Sequence, residues 1–230
     1  MADHVANAMD RDLKSLLNKI EAMGGIAQKM FASSIDAIIH ADTELAQVTI
    51  AFDNELDALQ RQIQEDAVLV IARRQPVGAD LREILGATRI SGELERIGDL
   101  SKNIAKRAIS LSGTKLLPAK LTEFRNRAEI VASELRDVLD AFIRRDEWRA
   151  EAIWLRNTKS GSELDVIPNE LIYSMIRNPR DIKTSTQLLF SSKNLEHIIG
   201  HTINIAEIVH YMVTGDLFPL EQRNLAGVSD

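Results

Sequence analysis

The chain of 230 residues is long enough to bury a hydrophobic core, and a composition of 45% hydrophobic and 27% charged residues is that of a globular protein. Its formal net charge of −6 argues against nonspecific binding to nucleic acid, which depends on neutralising phosphates with basic side chains. The chain has no cysteine, which excludes disulfides, thiolate metal sites and thiol catalysis.

The pattern of apolar residues predicts an all-α protein. Aromatic residues make up only 4% of the chain, and Gly and Pro are scarce, with 11 and 5 copies, which disfavours strands and tight turns. Apolar residues recur at spacings of three and four almost everywhere, as in amphipathic helices. Six long helices are predicted, in chain order, at about 5–40, 43–74, 79–112, 119–145, from 146 onwards and 178–215. Short connections between long helices predict antiparallel packing.

Several local signals set these predicted boundaries. Asp42 and Asp146 are suitable N-caps, and Asn178 followed by Pro179 is an N-cap with a first-turn proline. Pro76 ends the second helix, and the Gly- and Pro-containing segment 112–118 is the best candidate boundary between domains. The fifth helix has a weak pattern around 157–162, and the tail after Gly215 is expected to be irregular or frayed.

The chain also repeats itself. Residues 42–56, DTELAQVTIAFDNEL, match 146–160, DEWRAEAIWLRNTKS, and residues 94–106, LERIGDLSKNIAK, match 195–207, LEHIIGHTINIAE. Identities at Leu, Glu, Asn, Ile and Ala in one register argue against a coincidence between amphipathic helices. The repeat predicts two three-helix bundles related by a pseudo-twofold axis, with a first repeat at 1–113, a second at 114–216 and a tail at 217–230.

Two pairs of carboxylates stand out because each pair is spaced by one helical turn. Glu95 and Asp99 lie on the third helix, almost opposite its apolar sector, and Asp53 and Asp57 lie on the flank of the second helix. One interpretation is a solvated face. The other is that the pairs converge around a cation, because four close carboxylates repel one another. An all-oxygen site suits hard ions such as Mg, Mn, Ca or ferric iron.

The duplicated segments 94–106 and 195–207 resemble the duplicated signature of the PhoU family, phosphate-transport and phosphate-regulon accessory proteins. Further matches are RRQPVGADLREI at 73–84, NPRDIK at 178–183 and MVTGD at 212–216, so the resemblance extends from about 12 to 216. It implies two three-helix bundles with metal clusters on their outer faces. It also implies a regulator that connects the ATPase of a phosphate ABC transporter to a membrane sensor histidine kinase and represses the starvation response.

The family's site residues carry over unequally to the two repeats. In the first repeat the acidic positions are Asp53, Asp57, Glu95 and Asp99, with Asn103 beside them, although Leu100 replaces the usual His. In the second repeat, five positions of the family pattern carry a different residue type. They are Asn157, Gly161, His197, Ile199 and Gly200. The pattern is kept there only at Glu196, His201, Asn204 and Glu207. We therefore expect a hard metal ion (Mg, Mn or Fe) in the first repeat and a weak or empty second site.

Other polar residues allow alternative interpretations. His197 and His201 have the spacing of a chelating pair, or they form a polar rim. Glu207 and His210 form a single Glu-x-x-His, whereas a helical di-iron enzyme needs two such motifs and two more glutamates. The basic residues around the turn at 75–80 are either solvated or face an anionic partner. The candidates for partner contacts are Arg74, Asp80, Arg82 and Arg96.

The predicted protein is a cytoplasmic negative regulator of phosphate-starvation signalling and phosphate uptake, and not an enzyme. It is expected to form a homodimer, to bind no nucleic acid and to reach the inner membrane only through its partners. The N-terminus does not have the pattern of a signal peptide, and the longest apolar run, 67–72, is too short to span a bilayer. The alternatives are a helical carboxylate metalloenzyme and a purely structural helical interaction module.

Overall fold

The computed structural model describes residues 2–113, 118–159 and 166–218. These ranges contain eight α-helices, one short 3₁₀ helix and no strand, so the predicted all-α fold is confirmed. The helices are α1 (Ala2–His40), α2 (Thr43–Ala51), α3 (Asp53–Arg74), α4 (Gly78–Ser110), α5 (Pro118–Arg144), α6 (Glu147–Lys159), α7 (Val166–Arg177) and α8 (Ile182–Thr214). The 3₁₀ helix is Pro179–Asp181.

The predicted second helix is interrupted at Phe52, which separates α2 from α3. The hydroxyl of Thr49 donates to the carbonyl oxygen of Leu45 at 2.8 Å, a side-chain bond that often bends helices. The interruption makes Asp53 the first residue of a new helix. The predicted fifth helix corresponds to α6 and α7. The segment between these two helices, 160–165, lies outside the described residues.

The capping signals are largely as predicted. Asp42 accepts a hydrogen bond from the backbone N–H of Leu45, and Asp146 accepts one from that of Arg149, each at 2.9 Å. Asn178 accepts from the backbone N–H of Arg180, but it begins the 3₁₀ turn and not α8. The N-cap of α8 is Asp181, so the predicted start of the sixth helix is wrong by three residues. The domain limits of the repeat remain a prediction.

The last helix of each half forms the centre of the molecule. α4 packs on α1, α2 and α3, α8 packs on α5, α6 and α7, and α4 and α8 also pack on each other. They run antiparallel, since Arg107 near the end of α4 bonds to Gln187 near the start of α8, while Gly86 lies against Met212. Buried side chains of all eight helices join into one hydrophobic core. The two halves are thus held together by a shared core.

The chain after α8 contributes a buried aromatic side chain. Phe218 is only 5% exposed, and its ring stacks on those of Trp154 and His210 at centroid distances of 4.5 and 4.2 Å. Residues 216–218 are irregular, as expected, but the tail is not frayed at Phe218, because its apolar ring fills a gap between α6 and α8. Residues 219–230 lie outside the described residues.

Candidate metal centre

The first-repeat carboxylates come together because α3 and α4 approach closely at Gly98. A Cβ atom at this position would lie 2.2 Å from Cδ2 of Leu56, a fully buried side chain of α3. The absence of a side chain at Gly98 therefore lets the two helix backbones approach. As a result, the first two turns of α3, which carry Asp53 and Asp57, face the middle of α4, which carries Glu95 and Asp99.

A lysine that the sequence analysis did not single out lies between the two helices. The ammonium nitrogen of Lys102 is 2.7 Å from Oδ2 of Asp53 and 2.5 Å from Oδ1 of Asp99. Burial lowers the pKa of Lys102, but its hydrogen bonds to both carboxylates and their charges outweigh burial and raise it. The side chain is therefore a cation at neutral pH. The sequence could have indicated the pair with Asp99, because Lys102 follows it by three residues on one helix.

The carboxylates repel one another despite this cation. Burial raises the pKa of Glu95, the charge of Asp99 raises it further, Arg96 opposes the rise and Asp57 adds to it. The side chain of Glu95 is only 19% exposed and that of Asp53 16%. Glu95, for which the sequence allowed a solvated face, is thus only partly exposed to solvent, because α3 and α4 partly cover it and Asp53.

The donor set suits a hard metal ion, whereas its arrangement in this structure does not. Four carboxylates are the ligands that Mg²⁺ and Mn²⁺ prefer. Within the described ranges, however, no three His, Asp or Glu side chains are placed so that they could hold a metal ion. Lys102 contacts the oxygens of Asp53 and Asp99 that an ion between the helices would need. Metal binding at this centre remains a prediction, and it requires Lys102 to move.

Of the side chains kept in the second repeat, His201 and Asn204 bond to one shared carboxylate on α4, whereas Glu196 bonds to Lys193. Oε2 of Glu93 on α4 lies 2.7 Å from Nδ1 of His201 and accepts from the amide nitrogen of Asn204 at 3.0 Å. Glu196 instead accepts from Lys193 at 2.7 Å, and its other oxygen is buried with no hydrogen-bond partner among the described residues. The side chain of residue 157 and all of residue 161 lie outside the described part of the chain.

Glu93 was not identified from the sequence, although it joins the two halves of the molecule. It lies 108 residues from His201, and its signal was only its place directly before the repeat motif at 94–106. Its bonds show that His201 contacts α4, whereas His197 is exposed. The two histidines that were considered as a chelating pair therefore have different surroundings.

Glu207 and His210, the Glu-x-x-His pair considered for a helical metalloenzyme, contact aromatic side chains. Oε1 of Glu207 accepts a hydrogen bond from the indole N–H of Trp154 at 3.0 Å. The ring of His210 stacks on Phe218. Both side chains thus take part in the aromatic packing that attaches the chain after α8.

The candidate partner contacts differ in accessibility. Arg74 donates to Asp12 of α1 at 2.9 Å, and Arg82 packs against the backbone of Gly215. Asp80 is exposed in the first turn of α4, and the side chain of Arg96 is 65% exposed. Of the four, Asp80 and Arg96 are therefore the most accessible to another protein. No helix in the described ranges has the length and hydropathy needed to cross a bilayer.

Comparisons with known proteins agree over both halves. The family model for the PhoU domain matches twice, at residues 20–108 and 124–209. A phosphate-specific transport system accessory protein PhoU homolog of Rhizobium meliloti is 42% identical over 213 residues, which cover 92% of this chain and 90% of the relative. A homolog with the same description from Caulobacter vibrioides is 40% identical, and the match covers 94% of each chain.

Solved structures agree as well. The crystal structure of PhoU from Pseudomonas aeruginosa has a TM-score of 0.84 and 34% identity, and the match covers 91% of this chain and 99% of that one. The phosphate transport system regulatory protein PhoU from Streptococcus pneumoniae has a TM-score of 0.83 at 24% identity, with 92% and 100% coverage, and supports the fold alone. The resemblance found in the sequence is thereby confirmed, and the chain belongs to the PhoU family.

Proposed function

We propose that this protein is an accessory protein of a phosphate-specific transport system and a negative regulator of phosphate-starvation signalling. The observation that carries the proposal is the family match over both halves of the chain. It is supported by relatives that cover nearly the whole chain and are described as transport system accessory proteins. The protein acts by binding and not by catalysis.

In this proposal the protein is an adaptor between the transporter's ATPase and a membrane sensor histidine kinase. It is a cytoplasmic homodimer that meets the membrane through these partners. Arg96 and Asp80 on α4 are exposed and can form charge-assisted hydrogen bonds with a partner. Such contacts favour specificity over raw affinity. Binding should therefore weaken with salt, because exposed charges are screened beyond about 8 Å at physiological ionic strength.

The proposal includes a metal ion of the hard type, Mg, Mn or Fe, in the first repeat. Its ligands would be the carboxylates of Asp53, Asp57, Glu95 and Asp99. Asn103, exposed one turn beyond Asp99, belongs to the same surface. The second repeat would bind metal weakly or not at all. This asymmetry is supported by the separate contacts of Glu196, His201 and Glu207.

Deletion of the gene in phosphate-rich medium tests the regulatory role. Expression of starvation genes and uptake of phosphate should both rise, and the intact gene should restore both. An Arg96→Glu variant should restore them incompletely if this surface contacts a partner. Arg125→Glu makes the same change of charge at an exposed position of α5 and serves as the matched control. Wild-type expression and uptake in the deletion strain would contradict the proposal.

A further inference from the structure

Lys102 binds the same carboxylate oxygens that a metal ion between α3 and α4 would use. Its ammonium contacts Oδ2 of Asp53 on α3 and Oδ1 of Asp99 on α4. An ion that joined the two helices through Asp53 and Asp99 would need lone pairs of these oxygens. A divalent ion and an ammonium at this place would also repel each other, so both cannot be bound there at once.

Lys102 is the chain's main counter-charge at this centre. A second cation, Arg96, is 65% exposed, and its nitrogens lie 3.6 Å from Glu95 and 3.9 Å from Asp99. The side chain of Lys102 is 20% exposed and makes two short bonds. Since a lysine side chain is a flexible four-carbon stem, it can rotate into solvent without movement of the backbone.

We propose that Lys102 is an internal counter-ion that competes with a divalent metal ion for Asp53 and Asp99. Metal binding at these carboxylates then displaces Lys102 from its contacts with them. The competition lowers the metal affinity of the centre. The inference rests on the metal component of the proposed function and is independent of the transporter and kinase contacts.

A lysine elsewhere in the molecule provides a matched control. Lys19 on α1 pairs with Asp66 on α3 at 2.5 Å, and its side chain is 28% exposed. It therefore makes the same kind of bridge between two helices as Lys102 does. Because the sequence places Asp66 nine residues beyond Asp57 on α3, the bridge lies outside the carboxylate centre.

The first test measures the affinity of the purified full chain for Mn²⁺ by isothermal titration calorimetry. Lys102→Met removes the ammonium and keeps a long side chain. It should bind Mn²⁺ about tenfold more tightly or better, which is within the usual range of coupling between two binding events. Lys19→Met should bind like the wild type. Equal or weaker binding by Lys102→Met would overturn the inference, as would the absence of Mn²⁺ binding by all three proteins.

The second test uses the wild-type chain, so it does not depend on the folding of a variant. An amine-acylating reagent is applied with and without saturating Mn²⁺, and modification of each lysine is measured by mass spectrometry. Acylation of Lys102 should rise several-fold with Mn²⁺, while that of Lys19 stays constant. Unchanged or reduced acylation of Lys102 would refute displacement. Starvation-gene expression in the deletion strain tests the regulatory role separately.

Discussion

Replacing Gly98 by alanine tests whether the approach of α3 to α4 depends on a missing side chain. The added methyl group would lie 2.2 Å from Cδ2 of Leu56 and 3.7 Å from Cε of Met30. Both neighbours are fully buried. Because Leu56 cannot turn into open space, either its side chain must leave its preferred rotamer or α3 must move away from α4.

The expected loss of stability follows from two opposing contributions. Overpacking a core by a methyl group costs about 1–3 kcal/mol. Replacing glycine by alanine inside a helix contributes about 1 kcal/mol in the opposite direction. The net change should be a destabilisation of about 0–2 kcal/mol. For a chain of this length, each kcal/mol corresponds to about 2–4 °C in melting temperature.

Gly92 provides the matched control on the same helix. A Cβ atom at Gly92 would have no atom outside its own helix turn within 4 Å. Gly92→Ala should therefore stabilise the protein by up to about 1 kcal/mol. Both variants gain the same helix propensity, so the difference between their free energies of unfolding isolates the overpacking, about 1–3 kcal/mol.

Urea denaturation followed by circular dichroism at neutral pH measures both free energies of unfolding. If Gly98→Ala proves as stable as Gly92→Ala, the argument that Leu56 closes this contact is refuted. A further check is the Leu56→Ala background, in which the obstructing atoms are removed. There the Gly98→Ala change should become neutral or stabilising.

Three further predictions concern other contacts. Gly86→Ala should destabilise the protein by about 0–2 kcal/mol in urea denaturation, because Cγ of Met212, which is not the mobile end of that side chain, obstructs the added methyl group. Burial raises the pKa of Glu83 although Arg145 lowers it. The charged form is thus disfavoured by folding, and the wild type should gain stability relative to Glu83→Gln as the pH falls from neutral towards 4.5, measured by thermal melts across that range. Phe218→Ala should cost about 3 kcal/mol and shift tryptophan fluorescence to the red, because it uncovers the buried indole; unchanged emission would contradict this packing.

The sequence by itself determined the features that depend on residues near one another in the chain. Apolar residues spaced three and four apart predicted the helices, since a helix has 3.6 residues per turn and such residues lie on the one face that packs on the core. Asp42 and Asp146 were predictable as caps because each bonds to a backbone N–H three residues later. The duplicated motif was visible for the same reason and was enough to identify the family.

The interruption at Phe52 and the late start of α8 were not predictable in this way. A single proline or a hydroxyl group in a helical pattern is compatible with a bend, a cap or a continuous helix. Packing against neighbouring helices selects among these forms, since the differences in local free energy are small. The buried position of Phe218 depends in the same way on aromatic partners from α6 and α8.

Only the tertiary structure shows which side chains meet at the carboxylate centre. The sequence identified the acids on each helix, but it could not show that Lys102 reaches Asp53, 49 residues away. Nor could it show that Glu93 bonds to His201 across the two halves. A charged side chain has many possible partners in the chain, and only the packing of the helices fixes which of them lies within hydrogen-bond distance. The long-range pairs of charges are therefore properties of the fold and not of the local sequence.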